Sequence, residues 1–297
     1  MKVGFIGFGE ADSAIADGLN EEGNVELICY DAMKNDPRFA EKLAAKCAKT
    51  NTTMLDSAAL VAEQADVIFM AVPSNFAVTA VTGALPGLHP GVIYVDVSTA
   101  TPGDKKMMAG KVAERGAEYV DGAMMGPLLK NRHQVPMLLS GKAAQELRDK
   151  MAPYNMKMTV VGEVPGIATS MKFIRSITAK GIGCLLVESL QAAQYYGVEE
   201  TIVESFVDSF GPAFRPVIDG YMSGAIIHAD RREHELQNVV DFLKQEGLPY
   251  TMAEAVRTKL AWLRDTDVKG NFEGDVPRDW QGVLAGWKLN EKTADLR

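Results

Sequence analysis

Lys2-Val3-Gly4-Phe5-Ile6-Gly7-Phe8-Gly9 decides how the rest of the chain is read. A short apolar run ends in a glycine, one residue and a second glycine, and an amphipathic stretch at 11–22 follows directly. Glycines there allow a tight turn and let backbone amides approach a pyrophosphate at the N-terminus of the next helix. A Gly-x-Gly alone is a common turn; its placement between a predicted strand and a predicted helix makes it a dinucleotide signature. The third position of that fingerprint, where Gly or Ala is usual, is Asp12, whose charge is unfavourable beside a diphosphate unless the side chain points away. A second predicted strand, 25–30, leads into Asp31, 22 residues after Gly9. An acid at this point accepts hydrogen bonds from both ribose hydroxyls and repels a 2'-phosphate, which predicts NAD over NADP. Lys34 and Arg38 nearby pull the other way. Gly7, Phe8, Gly9, Glu10 and Ala11 are therefore the loop residues expected at the cofactor, with Asp31 at its ribose.

Outward from this unit, β-branched runs at 67–72, 92–97, 118–120, 137–139 and 158–161 alternate with helical stretches at 38–46, 75–82 and 105–115. The runs are nearly all apolar, as strands covered on both faces should be. This predicts a doubly wound, mainly parallel α/β Rossmann domain over 1–163. After Gly162-Glu163-Val164-Pro165-Gly166 the strand signals stop, and helical patterns run to about residue 264, beginning with a helix over 167–196. An all-α domain over 164–297, joined by that long helix, is expected. Gly181 and Gly183 inside the helix predict close packing against another helix, of this chain or of a second subunit. Trp280 and Trp287 predict that part of the polar tail packs down.

The 297 residues suit two domains of ordinary soluble composition, 47% hydrophobic and 24% charged. A net charge of -8 argues against a surface that neutralises phosphates, so nucleic acid is not an expected partner. No run reaches the roughly 18 apolar residues of a membrane span. Cys29, Cys47 and Cys184 have neither disulfide-framework nor zinc-site spacing, which fits a reducing cytoplasm and no metal.

Three segments sit where open α/β sheets bind ligands, at strand carboxyl ends. In Val72-Pro73-Ser74-Asn75, Ser74 and Asn75 either cap the next helix or touch the cofactor. In Asp96-Val97-Ser98-Thr99-Ala100-Thr101-Pro102, the hydroxyls either hold a substrate carboxylate or lead into a helix at Pro102. Asp121-Gly122-Ala123-Met124-Met125-Gly126 follows a strand, and its glycines would let backbone line a small pocket or simply turn the chain. On the long helix, Lys172, Arg175 and Ser176 fall at i, i+3 and i+4 and so share a face. They are either solvated or, where Lys172 is desolvated, an acid/base group with a cationic neighbour.

These segments together resemble the β-hydroxyacid dehydrogenase superfamily, which includes 3-hydroxyisobutyrate and 6-phosphogluconate dehydrogenases. The resemblance covers the glycine loop, Val72-Pro73-Ser74, Ser98 to Pro102, Asp121 to Gly126, and Gly166 to Lys172. It implies hydride transfer between a nicotinamide cofactor and the CH–OH group of a small hydroxy acid or related alcohol. Lys172 is implied as general acid/base, with Ser98, Thr99 and Gly122 at the substrate. Arg175 is a candidate carboxylate or phosphate clamp. Ser176 stands where the superfamily has asparagine, so substrate identity transfers less well than reaction type. The second half is similar to a branch whose helical domain has no assigned function. There, His228 and Arg232 either reach the cleft or form part of a solvated helix face. The resemblance further implies a homodimer through the helical domain and leaves decarboxylation open. Two alternatives stand beside this reading: an imine or ketimine reductase on the same scaffold, in which the lysine is commonly replaced, and a non-catalytic NAD-binding regulator.

Overall fold

The computed structural model describes residues 1–287. Its strands are β1 (Lys2–Ile6), β2 (Glu26–Tyr30), β3 (Thr52–Met54), β4 (Val67–Met70), β5 (Ile93–Asp96), β6 (Glu118–Met124), β7 (Met137–Ser140) and β8 (Met158–Gly162). They form one sheet in the order β3-β2-β1-β4-β5-β6-β7-β8. All pairs are parallel except β6 with β7. The link from β6 to β7 holds only the one-turn helix α6 (Leu128–Asn131) and a 3-10 turn, not the full crossover helix that the parallel βαβ units carry, and the chain returns antiparallel. Strand order reverses at β1 and β4, which opens a crevice at their carboxyl ends.

The helices of this half are α1 (Glu10–Glu22), α2 (Ala40–Thr50), α3 (Ala58–Gln64), α4 (Ala77–Ala84), α5 (Pro102–Ala113), α6 and α7 (Ala144–Met151). One face of the sheet buries Val3, Phe5, Phe69 and Val95 with Ile15 and Leu19 of α1 and Leu147 of α7. The other buries Ile6, Ile68, Met70 and Tyr94 with Val61 of α3, Val81 of α4 and Met108 of α5. Two-sided burial explains why these strands read as unbroken apolar runs.

α8 (Ile167–Tyr196) spans the predicted 167–196 and is followed by α9 (Glu199–Phe210), α10 (Phe214–Ile227), α11 (Ala229–Gln245), α12 (Thr251–Asp265) and α13 (Trp280–Ala285). They share a core that includes Val187, Leu190, Ile218, Met222, Leu236, Val240 and Leu260. Trp280 and Trp287 join it, the latter stacked on Trp262 at 6.2 Å. A methyl on Gly183 would stand 3.4 Å from the Tyr221 carbonyl oxygen, and one on Gly181 3.5 Å from Val256, so these glycines bring α8 close to α10 and α12 of the same chain. The chain divides into two compact units, Met1–Lys172 and Phe173 onward. The boundary lies inside α8, later than the sequence expectation of 163/164, because the first turn of α8 is bonded into the first unit.

Two local expectations are corrected. Residues 121–124 continue β6 and do not form a turn, and Gly122 is paired with Leu139 across the ladder. Its missing side chain lets Val95, Val97 and Met137 close over the strand at 3.0–3.3 Å from where a methyl would be. Gly122 therefore packs the sheet. Capping of the helix after β4 by Ser74 or Asn75 is not seen either: Ser74–Phe76 is a 3-10 turn, and α4 is entered through Phe76 without a side-chain cap.

Candidate active site

The glycine loop fits a dinucleotide on its own geometry. Gly7 has φ +89°, and a methyl there would lie 2.5 Å from Val72 and 3.0 Å from the Ala71 carbonyl oxygen, so only glycine lets β1 turn against the end of β4. At Gly9 a methyl would meet nothing within 4 Å. Gly9 is the N-cap of α1 and supplies no side-chain cap, which leaves the amides of the first turn facing open space. Phe8 is buried against Phe5 at 5.7 Å and holds the turn to the core. Glu10, exposed, and Ala11 open α1, with the amides a diphosphate would use. Val72 stands against Gly7, and Pro73 leads into the 3-10 turn that begins at Ser74.

Asp12 departs from the fingerprint in an informative way. It is fully buried in the first turn of α1, and neither carboxyl oxygen has a hydrogen-bond partner. Burial pushes its pKa well above the carboxylate range; the nearby Ala71 amide opposes this and the Asp31 charge adds to it. The uncharged acid is favoured, so Asp12 brings little negative charge to the diphosphate side.

Asp31 follows β2, and its Oδ1 accepts the Met33 amide at 2.8 Å, which fixes the carboxylate at the strand end. The two cations that would favour a 2'-phosphate are engaged elsewhere. Lys34 bonds the Leu55 carbonyl at 3.2 Å and pairs with Asp56, and Arg38 pairs with Asp36 at 2.6 Å.

Sequence reasoning missed the group that organises the other segments. β5 ends on Asp96, which stands opposite Asp121 of β6 in the register, and both acids are fully buried. Lys105 of α5, also fully buried, donates to Asp121 Oδ1 at 2.8 Å and to the Asp96 carbonyl at 2.9 Å, and lies 3.6 Å from Asp96 Oδ1. The Tyr119 hydroxyl donates to Asp96 Oδ2 at 2.6 Å, and the Ser98 amide donates to Oδ1 at 2.8 Å. Ser140, the Gly166 amide and the Thr169 amide each donate to Asp121 Oδ2 at 3.0 Å, and the Thr169 hydroxyl donates to Oδ1 at 2.7 Å. Burial works to raise the Asp121 pKa, but the Lys105 charge and the Lys105 and Thr169 hydrogen bonds outweigh it and hold it below the usual value. For Lys105 burial acts downward, and the two carboxylates outweigh it upward. The ion pair is therefore intact near neutral pH. Register-matched acids on adjacent buried strands are the sequence signal that a cation was owed.

This network ties two segments to one frame. Asp96 fixes Ser98, whose Oγ in turn accepts the Ala100 amide at 3.3 Å, while Thr101 caps α5 with Pro102 in its first turn. The helix-start reading of Thr101-Pro102 therefore holds, and Thr99 stands partly exposed between the two anchors. Asp121 caps α8 from 45 residues away, a carboxylate at the positive end of the helix. Gly166, φ +99°, is required where the chain enters α8, because a methyl would lie 3.0 Å from the Pro102 carbonyl oxygen. Lys172 follows Thr169 by three residues, one turn further on the same side of α8, and is half-buried. Arg175 and Ser176 continue that face, Arg175 exposed and Ser176 half-buried.

Among known proteins, 2-(hydroxymethyl)glutarate dehydrogenase of Eubacterium barkeri is 26% identical over 229 residues, 72% of this chain and 71% of its own. A solved conserved hypothetical protein from Sinorhizobium meliloti 1021 superposes with a TM-score of 0.80 at 31% identity, covering 96% of this chain and 95% of its own. A conserved protein of unknown function, described as structurally similar to 3-hydroxyacid dehydrogenases, superposes with a TM-score of 0.76 at 28% identity, over 91% of this chain and 99% of its own. Residues 193–263 match a domain of unknown function, DUF1932. Residues 2–159, more than half of the chain, match the NAD binding domain of 6-phosphogluconate dehydrogenase, and with the glycine loop and sheet order described above the chain belongs to that family as an NAD(P)-binding, hydroxyacid-dehydrogenase-like oxidoreductase.

Proposed function

We propose that the protein transfers a hydride reversibly between NAD and the CH–OH carbon of a small hydroxy acid, with Lys172 as general acid/base. The observation that carries this reading is the shared anchorage: Asp96, Lys105 and Asp121 fix both the Ser98-Thr99 loop and the start of the helix that bears Lys172. A lysine held one turn beyond a buried cap keeps its position relative to the loop hydroxyls, which acid/base catalysis requires.

The Gly7 to Ala11 loop would hold the pyrophosphate and Asp31 the adenosine ribose. The engagement of Lys34 and Arg38 by their own acids supports NAD over NADP. The bound nicotinamide supplies a hydride acceptor in oxidation and a donor in reduction. Lys172 Nζ, as the free amine, takes the carbinol proton as the C–H bond breaks, and its ammonium returns that proton to the carbonyl oxygen in the reverse direction. Ser98 and Thr99 donate hydroxyl hydrogen bonds to the substrate carboxylate. Arg175 clamps an anionic group of the substrate, and Ser176 supports the lysine. Gly122 serves through packing beneath this loop.

The relative that acts on a hydroxymethyl dicarboxylate supports a carboxylate-bearing alcohol as the substrate class. Ile174, Leu185 and Tyr196, spaced by 11 residues on one side of α8 and 58%, 58% and 76% exposed, support a homodimer through the helical unit. Among the described residues no helix is long and apolar enough to cross a membrane. With all three cysteines as free thiols, this supports the cytoplasm as the working compartment. The test is a panel of 3-hydroxy carboxylates offered with NAD and with NADP. Reduced cofactor should appear with at least one acid and faster with NAD; saturable NAD binding with no reduction across the panel would instead identify a non-catalytic NAD-binding protein.

A further inference from the structure

Two of the three cysteines meet inside the first unit. Cys29 is the fourth residue of β2 and Cys47 lies in the last turn of α2, 18 residues apart in sequence, yet their Sγ atoms stand 3.7 Å from each other. Pairing of β2 with both β1 and β3 holds Cys29 inside the sheet, fully buried, and Met54 of β3 puts a third sulfur 3.7 Å from it. Cys47 is half-buried, so solvent reaches one sulfur of the pair and not the other. The contact also makes the two thiols unequal. The hydrogen bond with Cys29 lowers the Cys47 pKa against burial and Asp31, with Lys46 assisting; the same bond and burial push the Cys29 thiol up. Thiolate character therefore collects on the sulfur that solvent reaches, the order that an attacking cysteine and its resolving partner need. Cys184 of the helical unit is a contrast: it is buried, donates to the Val256 carbonyl at 3.8 Å, and is pushed up to about 11 by burial.

We infer that Cys29 and Cys47 are a redox-active pair, closed into a disulfide by a hydroperoxide and reopened by a dithiol. The Cys47 thiolate attacks one peroxide oxygen; the O–O bond breaks, Cys47 becomes a sulfenic acid, and hydroxide leaves and takes a proton from solvent. The Cys29 sulfur then attacks the Cys47 sulfur; the S–O bond breaks, and the sulfenic OH departs as water with the Cys29 proton. The two thiols together lose two electrons, and the peroxide gains them as it becomes two waters. A dithiol reverses the change by giving two electrons and becoming a disulfide itself. Bonded sulfurs lie at about 2.05 Å, so the pair must approach by about 1.6 Å from its 3.7 Å separation. Ladders hold β2 on both sides, so this movement falls on α2 and on the succession of turns at 31–40 that joins the two elements. That segment carries the Met33 amide that fixes Asp31. Closing the disulfide therefore loosens the ribose carboxylate and weakens dinucleotide binding. This consequence rests on the cofactor reading given above; the disulfide itself does not.

The test treats the full-length protein with one equivalent of hydrogen peroxide, then applies peptide mass mapping and fluorescence titration with NADH. A peptide cross-linked through Cys29 and Cys47, a Cys184 that still alkylates, and recovery of both thiols with dithiothreitol are expected. Cys29→Ser should stop at a Cys47 sulfenic acid that dimedone traps, and Cys47→Ser, at the half-buried position, should give no cross-link. Near-ultraviolet circular dichroism of the stacked Tyr94–Tyr119 pair reports whether each variant is folded. Oxidised wild type should bind NADH about 10-fold or more weakly than the reduced protein, the worth of one hydrogen bond to a charged group, while Cys47→Ser binds it alike before and after peroxide. Oxidation of Met54, or of Cys47 to a sulfinic acid, with Cys29 left as a free thiol would overturn the pair. A complete disulfide with unchanged NADH affinity would overturn its action on the cofactor. A reduced protein that binds no NADH would instead remove the cofactor reading, with the cross-link still decided by mass.

Discussion

Replacing Lys105 by methionine tests the frame beneath the active site. Methionine is close to the lysine stem in length, so the buried space is largely refilled, while the cation that pairs with Asp96 and Asp121 is lost. Removing one partner of a buried pair leaves uncompensated charge and costs about 3–5 kcal/mol. For a unit the size of Met1–Lys172, at roughly 2–4 °C per kcal/mol, the melting temperature should fall by about 6–20 °C. The pH dependence is the sharper signature. Two carboxylates left facing each other cannot both ionise, so one takes up a proton and its pKa in the folded state rises. The stability of the variant should then fall as pH rises above about 4, by up to ~1.4 kcal/mol per pH unit, until that raised pKa is passed. In the wild type Asp121 is lowered instead, and its contribution is present above the unfolded value and lost as pH falls below about 4. Calorimetric melts from pH 3 to 8 measure both effects, with near-ultraviolet circular dichroism following the stacked Tyr94–Tyr119 pair of the first unit. A loss under about 1 kcal/mol with an unchanged pH profile would refute the buried network as described.

Asp12→Ala removes a buried carboxyl with no partner and should stabilise the first unit at neutral pH by about 1 kcal/mol. Because the Asp12 pKa is raised on folding, the advantage should be absent below about pH 4 and grow as pH rises through the folded value; parallel pH curves for variant and wild type would count against it. Asp31→Ser should weaken NAD by about 10- to 150-fold through loss of hydrogen bonds to a charged group, and NADP by less, as read by fluorescence titration of the reduced cofactors. An equal loss for both would remove Asp31 from the ribose.

Local signals carried much of the fold. The β1-α1-β2 unit was legible because strand, glycine turn, helix and terminal acid occur within 31 residues, and α8 because its helical pattern runs unbroken. β3 was not legible, since Thr52-Thr53-Met54 is too short and polar to stand out and forms only because β2 offers a free edge. The short helix α3 carries one local signal, Ser57, which accepts the Leu60 amide as a cap, but its seven residues are too few for a helical period to stand out. The sequence around Gly122 reads as a pocket lining or a turn because glycine usually breaks strands, whereas the neighbours that close over it, Val95, Val97 and Met137, come from β5, the residue after it and β7. The reversal of β7 leaves no compositional trace. Of the site, the glycine loop, Asp31 and the helix face of Lys172 could be seen in sequence. The Lys105 cluster could not, because its partners lie 9 and 16 residues away and Thr169 a further 48 beyond Asp121, distances that only sheet order brings together.

The central claim is that Lys172 moves the substrate proton. Its most direct test compares wild type and Lys172→Ala for both NAD affinity and turnover of whichever hydroxy acid the panel identifies. The account predicts an NAD dissociation constant within a few-fold of wild type and a kcat lower by about 10²–10⁴-fold, the usual worth of a positioned acid/base. A Lys172→Ala enzyme that binds NAD and turns over at the wild-type rate would contradict it.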